Sequence, residues 1–236
     1  ATLAANVARL DAALGSLQAD EPRLALVLLP LGCLSGGAGL TSRWHAPTGP
    51  GSAAVPHSSP LATLARLAAA RRLWLAGAER FAGDAWGFVL DADGRLAAAQ
   101  ASIGAGRGAA QVTVAESPIG QLAVLVDDDL LHAEYARLAL FAGAEVLLNP
   151  CSERMDERSE GRQLSRGARA WENHAAVLAA GLGTALEPSG LPAAAAVGRG
   201  LVAIWNFTGQ CLVSGEGPSA GATLDLASLR ARRAET

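Results

Sequence analysis

From Arg23 to Leu29 the chain reads RLALVLL, an apolar run that is unbroken after its first residue and stops at Pro30. A run that short, with no polar residue on alternate positions, fits a strand covered on both faces. Just before it, Leu3, Val7, Leu10, Leu14 and Leu17 recur at steps of three and four, the spacing of one helical face. A covered strand fed by an amphipathic helix demands helices packed over a sheet, which points to a layered α/β fold.

The remainder keeps this alternation. Residues 32–59 are rich in Gly, Ser, Pro and Thr, read as a long loop, and carry Trp44, His45 and His57. Ser59-Pro60 supplies an N-cap and first-turn proline for a helix to about Arg72. A strand is expected from Arg72 to Gly77. Trp86 to Asp91 and a strand from Arg95 form a hairpin around Asp91-Ala92-Asp93-Gly94. Strands at Gln111–Val114 and Gln121–Val126, a helix at Leu130–Phe141 and a strand at Glu145–Leu148 ending at Asn149-Pro150 follow. The arginine-rich stretch 152–169 mixes both charge signs and reads as a solvated loop or helix face leading into a helix at Ala170–His174. Short strands are expected at Ala175–Leu182, Ala194–Val197, Leu201–Trp205, Gln210–Ser214 and Thr223–Leu226. With no linker and no fixed-period repeat, the 236 residues read as a single domain.

Composition removes several function classes. A net charge of −3 gives no electrostatic reason to expect nucleic acid or an anionic membrane as partner. No apolar stretch approaches the roughly 18 residues of a membrane span, and the start lacks a secretory pattern, so a cytoplasmic protein is expected. Cys33, Cys151 and Cys211 are odd in number and widely spaced, unlike a disulfide framework or a zinc site.

Several ordered segments together resemble the nitrilase, or carbon–nitrogen hydrolase, superfamily. Asn6-Val7-Ala8-Arg9-Leu10 looks like the family's first helix, and LALVLLP followed by Ser35-Gly36 like its first-glutamate strand and turn. FVLDADGRL (88–96) resembles the family hairpin. SPIGQLAVLV followed by Asp129, Glu134 and Arg137 resembles the nucleophile strand and the helix behind it. GAEVLLNP, RAWEN and the closing TLDLASLRARR are similar to further family signatures. The resemblance implies a four-layer α-β-β-α sandwich that dimerises helix against helix, and no cofactor. One departure is that family members begin with a strand before the first helix, whereas this sequence opens almost directly at that helix: either it is trimmed ahead of the helix, or the sheet lacks one strand or obtains it elsewhere.

The family cleaves or forms C–N bonds with a glutamate base, a lysine that steadies the oxyanion and a cysteine nucleophile, and each role needs its own chemistry. On the family pattern the glutamate position is Leu31, the lysine position falls at about Ser102 and the cysteine position is Asp127. All nineteen basic residues are arginine, so no lysine exists to be shifted into place. GC-rich codon usage accounts for arginine in place of lysine, but not for Leu in place of Glu or Asp in place of Cys. Without thiolate, base and ammonium, the resemblance implies a catalytically dead member acting as a structural, regulatory or small-molecule-binding protein. Its expected partners are a second copy or an active paralogue.

Two rescue chemistries remain open from the residues. Cys151 and Cys33 both follow strand ends, where open α/β folds place ligands, and either is a candidate nucleophile with His45 or His57 as base, giving an active amidase. Asp127-Asp128-Asp129 after an apolar strand also mimics a magnesium-binding phosphatase motif, but no later acidic pair completes it, so no metal is expected. The pocket candidates are thus Leu31, Cys33, Asp127, Asp128 and Cys151. Structural roles are expected for Asp129 as anchor of the following helix, for a Glu134–Arg137 ion pair one turn apart, and for Glu172 within RAWEN. Gly104, Gly106 and Gly108 lack the following helix of a phosphate loop, and Trp74, Trp86, Trp171 and Trp205 read as core or interface aromatics.

Overall fold

The computed structural model describes residues 3–35, 39–41, 44, 52–104, 111–153, 159–181, 200–217 and 219–235. The expected strand at Ala194–Val197, His45, Gly106 and Gly108 lie outside them. Five α-helices and two β-sheets are present among the described residues: α1 (Leu3–Asp20), α2 (Ala62–Arg71), α3 (Ala133–Phe141), α4 (Ser159–Glu172) and α5 (Leu226–Ala234), with one 3₁₀ turn at Asp127–Leu131. The first sheet has the order β1 (Leu26–Leu31), β2 (Trp74–Phe81), β3 (Asp84–Leu90), β4 (Leu96–Ala101). The second, in chain order, comprises β5 (Val114–Ala115), β6 (Leu122–Val124), β7 (Val146–Cys151), β8 (Ala176–Gly181), β9 (Gly200–Trp205) and β10 (Cys211–Gly217), laid side by side in that order. β6, β7 and β8 are parallel, as β1 is to β2, while the remaining pairings are antiparallel.

The layering follows from side-chain alternation. Along β2, Trp74, Ala76 and Ala78 face the second sheet, where they meet Leu122, Val124, Val126, Val146 and Leu148. Leu75 on the opposite face packs with Phe88 and Leu90 under Leu14 of α1 and Leu64 and Ala68 of α2. The outer face of the second sheet packs Leu147, Val177 and Ala179 under Ala136 and Ala139 of α3 and Ala170 of α4. Helix, sheet, sheet and helix therefore form four layers. Small residues dominate the contact between sheets, and at Gly87 a β-carbon would run into Val124, so the close approach requires glycine there.

Several boundaries differ from expectation for identifiable reasons. Strands β1 and β7 continue through Pro30 and Pro150 and do not stop at them. Pro30 lies on an edge strand, inside a register shift between Leu28 and Leu31, where a missing N–H is tolerated. Pro150 lies past the last rung with β6, at Val124↔Leu148. β2 runs on to Phe81, well past Gly77, carrying Glu79 and Arg80. Of the two readings of the stretch before Ala170, loop or helix face, the helix holds from Ser159, well ahead of the expected start at Ala170; its buried face is Ser159, Arg166 and Ala170, and an arginine at the centre of that face hides the periodicity. The expected strand at Thr223–Leu226 does not form. Leu224 and Leu226 pack on the core between the sheets, and Asp225 caps α5 by accepting from the Ser228 N–H at 3.0 Å. The expected Gln111–Val114 strand is reduced to Val114–Ala115, and the helix behind β6 begins at Ala133 after the 3₁₀ turn. No strand precedes α1 among the described residues. Among the same residues no helix is long and apolar enough to cross a membrane.

Candidate functional site

The site is built at the C-terminal ends of β1, β2, β6 and β7. Leu31 closes β1, is buried in the core between the sheets and pairs with Ala78. Gly32, at φ 82°, reverses the chain and donates to the Ala78 carbonyl at 2.9 Å. The turn that follows is held by Glu79, which sequence reading missed. Its buried carboxylate accepts from the N–H of Leu34 (3.0 Å), Ser35 (2.9 Å) and Arg80 (2.8 Å) and from the Ser35 hydroxyl (2.8 Å). All of these donors belong to the fold, so the carboxylate nearest the expected glutamate position is committed to structure.

Arg80, the next residue, points to the other face and reaches the second sheet. It pairs in register with Ala85, whose carbonyl accepts from Ser102 N–H at 2.9 Å, and its guanidinium lies 3.6 Å from the Asp127 carboxylate. Leu31 and Asp127 are thus each one contact from the Ala78–Arg80 end of β2, and Ser102 is linked to it through Ala85. Asp127 adopts φ 53°, a left-handed conformation that Asp tolerates better than most residues, at the turn from β6 into the 3₁₀ segment. The Asn149 amide fixes this turn by donating to the carbonyls of Leu125 and Asp127, each at 2.8 Å. The Asp127 side chain accepts from Ser152 N–H (3.1 Å) and from the Ser152 hydroxyl (3.0 Å).

The three consecutive aspartates diverge. Asp128 pairs with Arg162 at 2.5 Å. Asp129 is buried and accepts from Ile103 N–H (2.9 Å), Gly104 N–H (2.8 Å) and the Ser102 hydroxyl (3.2 Å), so it anchors the segment on which the lysine was expected, not the helix that follows. No group of three or more metal-ligating side chains converges among the described residues.

Behind Asp127 lies a buried charged cluster that the sequence did not announce. Arg166 on α4 is fully buried and donates through Nε to Asn149 Oδ1 (2.9 Å) and through Nη2 to Glu153 Oε2 (2.5 Å). Arg162 approaches the same Glu153 at 3.8 Å. Arg166 Nη1 and Glu153 Oε1 are buried without hydrogen-bond partners among the described residues. Cys151 lies against this cluster, completely buried, its thiol donating to the Ala180 carbonyl at 3.5 Å with Arg166 Nη2 at 3.7 Å. Burial pushes the Cys151 thiol up to about 11, against a smaller opposing pull from Arg166. The Cys33 thiol is likewise pushed up, by burial and by the charge of Glu79, and donates to the Ala78 carbonyl at 3.7 Å. Neither is a thiolate near neutral pH. His57 is exposed on the loop before α2.

The expected Glu134–Arg137 pair is replaced. Glu134 is exposed, and Arg137 donates to the Glu172 carbonyl at 3.2 Å because α4 packs beside α3. Within RAWEN, Arg169 binds the Glu172 carboxylate (2.5 Å) and the Leu131 carbonyl (3.2 Å), holding α4 against the 3₁₀ turn. Away from the strand ends, a groove of about 740 Å³ opens on the outer face between α4 and the β9–β10 turn, lined by Leu164, Gly167, Trp171, Trp205, Thr208 and Cys211.

Neither a family model nor a curated protein sequence matches the chain. Solved structures do. A carbon–nitrogen hydrolase from Helicobacter pylori G27 is 16% identical with a TM-score of 0.76, covering 100% of this chain and 89% of its own. Nit3 of Saccharomyces cerevisiae, a member of branch 10 of the nitrilase superfamily, is 17% identical with a TM-score of 0.72, over 99% and 88%. An amidase from Nesterenkonia sp. AN1, seen after Michael addition of acrylamide at its active-site cysteine, is 21% identical with a TM-score of 0.69, over 99% and 92%. At these identities the likeness establishes the architecture, and this chain has the two-sheet, four-layer α/β fold of nitrilase-superfamily structures.

Proposed function

We propose that this protein is a single-domain, non-catalytic chain on the carbon–nitrogen hydrolase fold, serving as a structural, regulatory or small-molecule-binding protein. One observation carries the reading: around the end of β2 and the turn after β6, the polar groups are engaged with one another. Asp127 is held by Ser152 and Arg80, Ser102 by Asp129, and Glu79 by the turn after β1. A carboxylate already paired with a guanidinium is a poor acyl nucleophile, and the buried, protonated Cys151 and Cys33 offer no ready replacement.

Partnering through the α3–α4 face completes the reading. Phe141, Leu164 and Trp171 are 79%, 70% and 64% exposed, and Leu164 and Trp171 lie seven residues apart on one stripe of α4. A second copy or a catalytically active paralogue would cover them. The three free thiols fit a reducing compartment such as the cytoplasm.

Iodoacetamide labelling read by mass spectrometry, alongside a screen of amides, carbamoyl compounds and nitriles, tests the proposal. Exposed Cys211 is expected to label first, with no turnover. A hyper-reactive Cys151 or Cys33 whose change to serine abolishes turnover would establish the amidase alternative and overturn the reading.

A further inference from the structure

We propose that Asp127 is a tethered carboxylate filling an anion-binding set of its own chain, and that a small exogenous carboxylate takes its place when the side chain is removed. This rests on reading Asp127 as a structural group and not as a nucleophile. The donors are fixed by elements other than Asp127. Ser152 N–H (3.1 Å to Oδ1) and Ser152 Oγ–H (3.0 Å to Oδ2) extend from the end of β7, which pairs with β8 as far as Cys151↔Gly181. Arg80 Nη2, 3.6 Å from Oδ2, is carried by β2 of the other sheet. The turn itself is pinned through its carbonyl by Asn149 at 2.8 Å, which needs no side chain at position 127. Deleting the carboxylate therefore leaves a backbone N–H, a hydroxyl and a guanidinium converging on a space the size of a carboxylate, organised in advance for an anion.

Local charge favours the same guest. Arg80, Arg162 and Arg166 here face Asp127, Asp128 and Glu153, with Arg162 on Asp128 and Arg166 on Glu153. Glu79, on the opposite face of β2, is occupied by three donors of the turn after β1 and by the Arg80 N–H. Among the described residues, loss of Asp127 leaves Arg80 without a counter-charge, and a monoanion of one or two carbons restores the balance. The Asp127 side chain is 26% exposed, so the space opens to solvent and admits such a guest.

Asp127→Gly makes the cleanest vacancy, because glycine accepts φ 53° without strain. Thermal melting is followed in sodium formate, sodium acetate and, at matched ionic strength, sodium chloride. Asp127→Gly is expected to gain about 4 °C, saturably, at formate ten times its dissociation constant. Chloride gives no saturable rise, and the wild-type chain does not respond. Asp127→Gly/Arg80→Gln is expected to lose most of the gain. The proposal is overturned by an absent response, by one the wild type shares, or by one indifferent to Arg80→Gln. Should Asp127→Gly fail to fold, formate titration calorimetry on Asp127→Ala decides, and zero binding heat there overturns the proposal equally. Turnover of amides by the wild type would refute the non-catalytic reading without touching the formate response.

Discussion

Glu79 and Glu153 are both buried carboxylates at strand ends, one in each sheet, yet they are stabilised in opposite ways. Glu79 is surrounded by neutral donors: two backbone N–H groups and a hydroxyl from the turn it shapes, and the N–H of Arg80 beside it on β2. Glu153 depends on a buried arginine, and among the described residues the pair leaves Glu153 Oε1 and Arg166 Nη1 without partners. A carboxylate ringed by neutral dipoles tolerates burial because each lone pair is met locally. A buried ion pair is stable only while both charges remain, since either one alone is stranded in a low-dielectric interior. The first region is a closed joint, whereas the second is a matched pair with incomplete hydrogen bonding.

The sharpest way to break this contrast is Arg166→Ala, which leaves Glu153 only the more distant Arg162 at 3.8 Å and deprives Asn149 of its Nε donor. A loss of about 4 kcal/mol is expected in urea unfolding. Replacing the pair together, as Arg166→Met with Glu153→Leu, is expected to recover most of that loss, because no charge is then left alone. Glu79→Gln should cost less, about 2 kcal/mol, since one oxygen still accepts while the new amide opposes donors of the turn. No second single substitution should repair it. Equal losses from both single substitutions, with no rescue by the double replacement, would remove the distinction.

A third effect separates the regions by pH. Burial holds the Cys151 proton to about 11, above the ordinary thiol value of 9.0, so the stability it contributes is complete below pH 9 and is lost as pH rises towards 11. The slope from this group approaches about 1.4 kcal/mol per pH unit. Cys33 adds a loss of the same sign. Alkaline denaturation of Cys151→Ser should therefore be shallower than that of the wild type between pH 9 and 11. An unchanged alkaline limb would mean that Cys151 is solvated.

What the sequence made legible follows from how strongly each feature is written in side-chain pattern. The hairpin around Asp91–Gly94 was legible because its turn residues do the work themselves: Asp91 accepts from Asp93 N–H (3.0 Å) and Arg95 N–H (2.8 Å), and Gly94 takes φ 76°. The layered fold was legible from covered strands alternating with helices. α4 was not, because its buried face carries an arginine, and a rule equating burial with apolarity cannot see Arg166 paired to Glu153. Glu79 and Arg80 were missed for a related reason: a charged pair made β2 seem to end early. Phe81 just beyond them, continuing the alternation, was the available signal. A common site for Leu31, Ser102 and Asp127 was an expectation from family pattern alone, since where each stands depends on pairings between distant segments.

The central proposal is that this chain, with the polar groups at its strand ends engaged with one another, performs no C–N bond chemistry. The most direct measurement is ammonia release by the purified wild-type chain from a panel of aliphatic amides, carbamoyl compounds and nitriles, against a buffer blank. The account predicts release indistinguishable from the blank for every compound. Steady release that scales with protein concentration and disappears in Cys151→Ser would contradict it.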